Sequence, residues 1–158
     1  MILIDNFFLK KALKNNNASF DMCNKIFAKH ISIDSRSIKK NSLFIAIKGK
    51  KFDGHNFINK AFKNNACAVI ASNFFKKKIA SNKNLIFVDN TLLALQKIAE
   101  NFLKNKKIFT IAVTGSNGKT TTKELIGHAL NYALGKKKFL FQKTISTIKL
   151  EFQLALLV

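Results

Sequence analysis

The sequence predicts an α/β fold in two consecutive units, and three observations carry that expectation. Strand-length apolar runs alternate with stretches of helical period along most of the chain. Near residue 113 an apolar run enters a glycine-containing loop that opens a helical segment, the order a phosphate site requires. The 158 residues, 47% of them apolar, suffice for one ordinary domain or two small units, but are few for a complete multidomain enzyme.

The elements follow in order. Phe7, Phe8, Leu9, Ala12 and Leu13 suit a short helix, which the polar Asn15-Asn16-Asn17 ends, and a mixed segment of weak signal follows. Residues 31–34 alternate like a strand and 42–48 read as a second, with Gly49 and Asp53-Gly54 supplying turn chemistry on either side of a basic loop. Within 55–65, Phe57, Ile58, Ala61 and Phe62 recur at spacings of one, three and four, as on an amphipathic helix. Residues 66–71 and 84–88 read as buried strands. Residues 91–104 set Leu92, Leu95, Ile98, Ala99 and Phe102 on one helical face, with Asp89 or Asn90 to cap it, and read as a hinge helix between the units. Residues 107–113 form the last apolar strand. The expected division is 1–88 for the first unit and 89–158 for a second, incomplete one.

Lys+Arg 28 against Asp+Glu 8 gives a net charge of +20, a balance that suits nucleic acid or an anionic membrane. Composition supplies a plainer cause. Lys (27), Asn (18), Ile (18) and Phe (16) have A/T-rich codons and make up half the chain, Arg36 is the one arginine, and the lysines are spread rather than gathered in an arm. No recognition helix or stacking motif accompanies the charge, so no nucleic-acid partner is expected; a polyanion binder, the competing reading, would lose affinity steeply with salt. The apolar runs fall far below the ~20 residues of a membrane span. The N-terminus, apolar first and basic after, reverses a secretory signal, so a cytoplasmic monomer without membrane insertion is expected. Cys23 and Cys67 are too few and too isolated for a disulfide framework or a zinc site, and two buried, reduced thiols are expected.

The chemistry concentrates in Thr114-Gly115-Ser116-Asn117-Gly118-Lys119-Thr120-Thr121-Thr122. Backbone N–H groups of such a loop converge on oxyanions at a helix N-terminus, where the helix is partially positive. Gly115 and Gly118 permit the turn, Lys119 can reach the terminal phosphates, and the Thr120 hydroxyl can hold Mg²⁺. Val113 stands where the commoner form of this loop has its first glycine, so the flanking strand and helix carry the assignment.

Together with Lys123-Glu124, this stretch resembles the ATP loop of the Mur ligases, the amide-forming enzymes of peptidoglycan synthesis. A second stretch agrees: Asp34-Ser35-Arg36, then Leu43-Phe44-Ile45-Ala46-Ile47-Lys48-Gly49, then Phe52-Asp53-Gly54-His55-Asn56-Phe57-Ile58, similar to the family's N-terminal UDP-binding α/β domain. The resemblance implies that domain followed by the start of a P-loop ATP-binding α/β domain. It implies ATP on Gly115, Ser116, Asn117, Gly118, Lys119, Thr120 and Thr121, with Lys119 the catalytic lysine on the β and γ phosphates and Thr120 near magnesium. It implies the UDP substrate on Ser35, Lys50, Lys51 and Phe52. A local ion pair at a strand end for Asp34-Ser35-Arg36, and a solvated loop for Lys50-Lys51, are the plainer alternatives. His55 is expected to pack on Asp53 at a helix start and is given no catalytic role.

The resemblance further implies phosphorylation of a substrate carboxylate by ATP and attack on the acyl phosphate by an amine. The Lys48-Gly49-x-x-Phe52-Asp53-Gly54-His55 wording favours the branch with UDP-N-acetylmuramoyl-tripeptide and D-alanyl-D-alanine as small-molecule substrates over the sibling that adds the third peptide residue. A folylpolyglutamate synthase shares the ATP loop but not the Asp34-Ser35-Arg36 domain. A non-catalytic nucleotide-binding fragment is the reading from another class. Likeness in wording is expected over residues 1 to 141 or so, about the first third of such an enzyme, whose further magnesium ligands, adenine pocket and dipeptide domain lie beyond it; the fragment alone is expected to be inactive. After Lys136-Lys137-Lys138 the family would read N-F-N-N-x-I-G-x-P, whereas this chain reads Gln142-Lys143-Thr144-Ile145-Ser146-Thr147-Ile148. With A-rich third bases, a one-base shift turns these residues into the missing wording, so 139–158 are expected to be a frameshifted tail.

Overall fold

A computed structural model describes residues 4–21, 23–49, 52–78, 83–104 and 111–134 of the chain. A five-stranded sheet runs in the order β2 (Ser19–Asp21), β7 (Leu85–Val88), β6 (Ala66–Ser72), β5 (Ser42–Ile45), β4 (His30–Ser32). The strands from β4 to β7 are parallel, and β2 closes one edge antiparallel to β7. β1 (Ile4–Asp5) and β3 (Phe27–Ala28) form a separate antiparallel pair. The helices are α1 (Asn6–Ala12), α2 (Ile58–Lys63), α3 (Thr91–Lys104) and α4 (Lys119–Leu134), with 3-10 turns at Gly54–Phe57 and Asn73–Lys78.

The uninterrupted apolar wording of the central strands suits a sheet covered on both faces. Side chains alternate across it. Leu43, Ile45, Ala68, Ile70, Ile86 and Val88 meet Leu9 and Ala12 of α1 and Ala94, Leu95, Ile98 and Ala99 of α3. Phe44, Ala46, Val69, Ala71, Leu85 and Phe87 meet Ile58 and Ala61 of α2, with Ile38 and Phe62 packed against them. From β4 to β7 every step along the sheet goes the same way, so right-handed crossovers put all the connections on one face. Ile38 from the first connection and α2 from the second accordingly share one core cluster. Each large side chain buried here contributes roughly 1.5–3 kcal/mol over its exposed state.

The helix ends are fixed by short polar side chains. Asp5 caps α1 by accepting from the Phe8 N–H at 2.7 Å. Of the two candidates before α3, Asn90 is the cap, its Oδ1 accepting from Leu92 and Leu93 N–H at 2.9 and 3.0 Å. Asp89 instead accepts from the Asn17 and Asn73 amides at 2.6 and 2.7 Å and braces the end of β7.

Several expectations are corrected. The helix 91–104 has its expected limits, but it is no hinge: its apolar face is buried in the first unit's core with α1. The mixed segment before residue 30 holds β2 and β3. Residues 111–113 carry no strand, and the rest of the run expected at 107–113 lies outside the described residues. Cys23 is exposed and Cys67 half-buried, so they are not two buried thiols. The stretch 139–158 lies outside the described residues. No helix among the described residues is long and apolar enough to cross a membrane.

Candidate functional site

The parallel strands point their carboxyl ends to one edge of the sheet, the edge where open α/β sheets bind ligands. Asp34-Ser35-Arg36 follows β4 there, residues 47–54 follow β5, and Ser72 ends β6. The first of these is an Asx turn. Asp34 Oδ1 accepts from the Arg36 N–H at 2.9 Å, and the guanidinium clasps the same carboxylate, Nη2 to Oδ2 at 2.8 Å and Nε to Oδ1 at 3.0 Å. These bonds hold the Asp34 carboxyl down at about 2. The local ion pair weighed against the binding reading is therefore present, with both partners exposed. Between them Ser35 is buried, 5% exposed, and its carbonyl accepts from the Asn64 amide beyond α2 at 2.7 Å. No hydrogen bond of its hydroxyl is found among the described residues.

The loop after β5 is held at both limbs. Gly49 N–H donates to the Phe52 carbonyl at 2.8 Å, Gly54 N–H donates to the Ile47 carbonyl at 2.9 Å, and between them the backbones of Lys48 and Asp53 pair antiparallel. A Cβ on Gly54 would meet Ile47 N at 2.8 Å and Ile47 O at 2.9 Å, so the approach of these limbs requires glycine. Phe52 stands out at 74% exposure, available for a planar group to rest on, while Lys50 and Lys51 lie outside the described residues. His55 packs on Asp53 as expected: Asp53 Oδ1 accepts from the His55 N–H at 2.9 Å and sits 2.6 Å from Nδ1. Burial, the largest single influence, would raise the Asp53 carboxyl, but the two His55 hydrogen bonds together with the charge interactions of His55 and Lys48 leave a net lowering. The sequence did not foretell the other side of the ring, where Ser72 N–H donates to His55 Nε2 at 3.0 Å.

The second set of residues forms the start of α4. Gly115 and Gly118 have φ of 150° and 75°, the region that favours glycine, and the Gly118 carbonyl accepts from the Thr122 N–H at 2.9 Å to close the first helical turn. Ser116, Asn117, Thr120 and Thr121 are exposed, so the N–H groups of the loop and the Thr120 hydroxyl are open to solvent. Lys119 folds back, donating to the Gly115 carbonyl and, at 3.2 Å, to that of Ser116. An ammonium tethered over a loop at a positive helix end is placed to meet oxyanions from the loop side. Among the described residues no three His, Cys, Asp or Glu side chains gather as a metal site. The Thr120 hydroxyl is the kind of hard oxygen that Mg²⁺ accepts beside phosphate oxygens and retained water.

Two family models match this chain: the Mur ligase family catalytic domain over residues 28–103 and the Mur ligase middle domain over 113–157. The first takes in nearly all of α3, and the second takes in most of the stretch that departs from the family's wording, so the match runs past the limit near residue 141. The UDP-N-acetylmuramoyl-tripeptide--D-alanyl-D-alanine ligase of Bacillus subtilis is 42% identical over 100 residues, which cover 63% of this chain and 21% of that protein. The UDP-N-acetylmuramoyl-L-alanyl-D-glutamate--2,6-diaminopimelate ligase of Aquifex aeolicus is also 42% identical over 100 residues, 62% of this chain and 20% of that one. Its counterpart in Rickettsia prowazekii is 39% identical over 132 residues, 81% and 26%. In structure, MurF from Acinetobacter baumannii matches with a TM-score of 0.68 and 29% identity over 84% of this chain and 28% of that one. The MurF ligase of Thermotoga maritima in complex with ADP matches with 0.59 and 36% over 66% and 24%. The chain spans between 20% and 26% of the length of these curated relatives.

Proposed function

The chain belongs to the Mur ligase family, and from that premise we propose that it is the nucleotide-handling part of the branch that joins D-alanyl-D-alanine to UDP-N-acetylmuramoyl-tripeptide at the expense of ATP. The observation that carries this reading is the loop at α4, with two glycines in the left-handed region and Lys119 over its carbonyls. ATP supplies the phosphoryl group that activates the peptide carboxylate toward the incoming amine. The chain's own part is positioning and charge neutralisation. Lys119 exchanges its loop carbonyls for phosphate oxygens, the N–H groups of 115–121 hold them, and the Thr120 hydroxyl would hold a Mg²⁺ ion, which would supply neutralisation of phosphate charge. At the sheet edge the Ser35 hydroxyl and Phe52 receive the uridine side, with Lys50 and Lys51 toward the diphosphate.

The sibling that adds diaminopimelate to UDP-N-acetylmuramoyl-L-alanyl-D-glutamate is the second reading, because relatives of both kinds match this chain at the same 42% identity. The two separate in an assay of phosphate release by the full product of the locus. Release that requires UDP-N-acetylmuramoyl-tripeptide with D-alanyl-D-alanine supports the proposal, and release that requires the dipeptide nucleotide with diaminopimelate supports the sibling. Binding of the UDP-sugar with no release under either pair would reduce the chain to a nucleotide-binding unit.

A further inference from the structure

His55 joins three segments at the carboxyl edge of the sheet. Its ring is almost fully enclosed, 3% exposed, and stacks on Phe75 with centroids 4.1 Å apart and planes 8° from parallel. Because the Ser72 N–H donates to Nε2, that nitrogen carries no proton, and the ring proton lies on Nδ1, facing Asp53 Oδ1 at 2.6 Å. The Asp53 side chain in turn caps the 3-10 turn, and the Asp53 backbone pairs antiparallel with that of Lys48. The chain of contacts runs from the end of β6, through the ring, to both limbs of the loop after β5.

Burial of an imidazole is warranted when both nitrogens are satisfied, as they are here. Simple packing would be met as well by an apolar ring. The bond to the Ser72 N–H adds something packing does not: it ties the loop to the last residue of β6, where that strand's ladder with β7 ends at Ser72 and Val88. We propose that His55 is a positioning residue, which through Asp53 and Ser72 fixes the limbs Lys48-Gly49 and Phe52-Asp53 in the shape that receives the nucleotide of the substrate. This rests on the reading of that loop as part of the UDP site. A loop held in its bound shape spares the ligand the ordering cost, and the effect of losing the clamp therefore falls on affinity.

The two nitrogens can be tested apart, since the amide of Gln reaches the position of Nε2 and that of Asn the position of Nδ1. UDP is titrated calorimetrically into the full chain and into His55→Gln, His55→Asn and His55→Ala, with the amide resonances of Gly49, Gly54 and Ser72 followed in parallel. His55→Gln, keeping an acceptor for Ser72, is expected within about threefold of wild-type affinity, and His55→Asn and His55→Ala to lose about tenfold or more and to shift the Gly49 amide. If His55→Ala does not fold, the Gln and Asn variants carry the comparison. Folded His55→Asn that binds UDP like the wild type, or His55→Gln that loses as much as Asn, overturns the clamp. A wild-type chain that does not bind UDP overturns the nucleotide reading on which the clamp's purpose rests.

Discussion

Replacing Gly54 with Ala tests whether the loop after β5 is built on a backbone contact that admits no side chain. The added Cβ would lie 2.8 Å from Ile47 N, 2.9 Å from Ile47 O and 3.1 Å from Ala46 Cα, all of them backbone atoms that cannot swing aside. Overpacking of this kind costs about 1–3 kcal/mol. Separating the limbs also strains the 2.9 Å bond from Gly54 N–H to the Ile47 carbonyl, a contribution of about 1 kcal/mol. Against this, alanine stiffens the unfolded chain by about 0.4–1 kcal/mol, because Gly54 does not occupy the left-handed region and its backbone is open to alanine. The net expectation is a loss of about 2 kcal/mol, or a urea midpoint lower by about 1 M. Gly49→Ala is the control, since its Cβ would find its nearest atom, the Phe52 carbonyl oxygen, at 3.4 Å. Urea unfolding followed by circular dichroism measures both. A Gly54→Ala chain as stable as the wild type, or a Gly49→Ala chain that loses as much, would refute the reasoning.

Three further outcomes are expected. The Asp34 carboxyl should titrate at about 2 by carbon-detected NMR and return toward 3.8 in Arg36→Gln. Its lowered value means that the pair's contribution is fully present above the unfolded pKa and is lost as pH falls toward 2; for so exposed a pair solvent screening keeps that contribution small. Asn90→Ala removes the acceptor for two N–H groups at the start of α3 and should cost about 1 kcal/mol in thermal unfolding, with Asn90→Asp close to neutral. DNA sequencing across the codons for residues 135–158 should reveal one base whose correction restores N-F-N-N-x-I-G-x-P; an unaltered frame disproves the shift.

What the sequence revealed and what it hid divides along the range of the interactions. α3 is predicted to the residue because Leu95, Ile98 and Ala99 repeat with helical period inside one segment. The covered strands β5, β6 and β7 are equally plain, since burial on both faces demands unbroken apolar wording. β2 is hidden because three residues of Ser-Phe-Asp carry almost no period, and its partner β7 lies far along the chain. The same range explains α3's role: a periodic face tells that a helix is covered, not that α1 covers it. At the site, the glycines of 115–118 and the Asp34–Arg36 pair are local and legible. The bond from Ser72 to His55 spans seventeen residues and leaves no mark in spacing.

The most direct test of the central claim is calorimetric titration of UDP into the chain and into Ser35→Ala. The account predicts one saturable site, with affinity lowered about tenfold by loss of the buried hydroxyl as a partner to the ligand, at unchanged thermal stability. Absence of binding by the wild-type chain, or binding that Ser35→Ala leaves untouched, would contradict it.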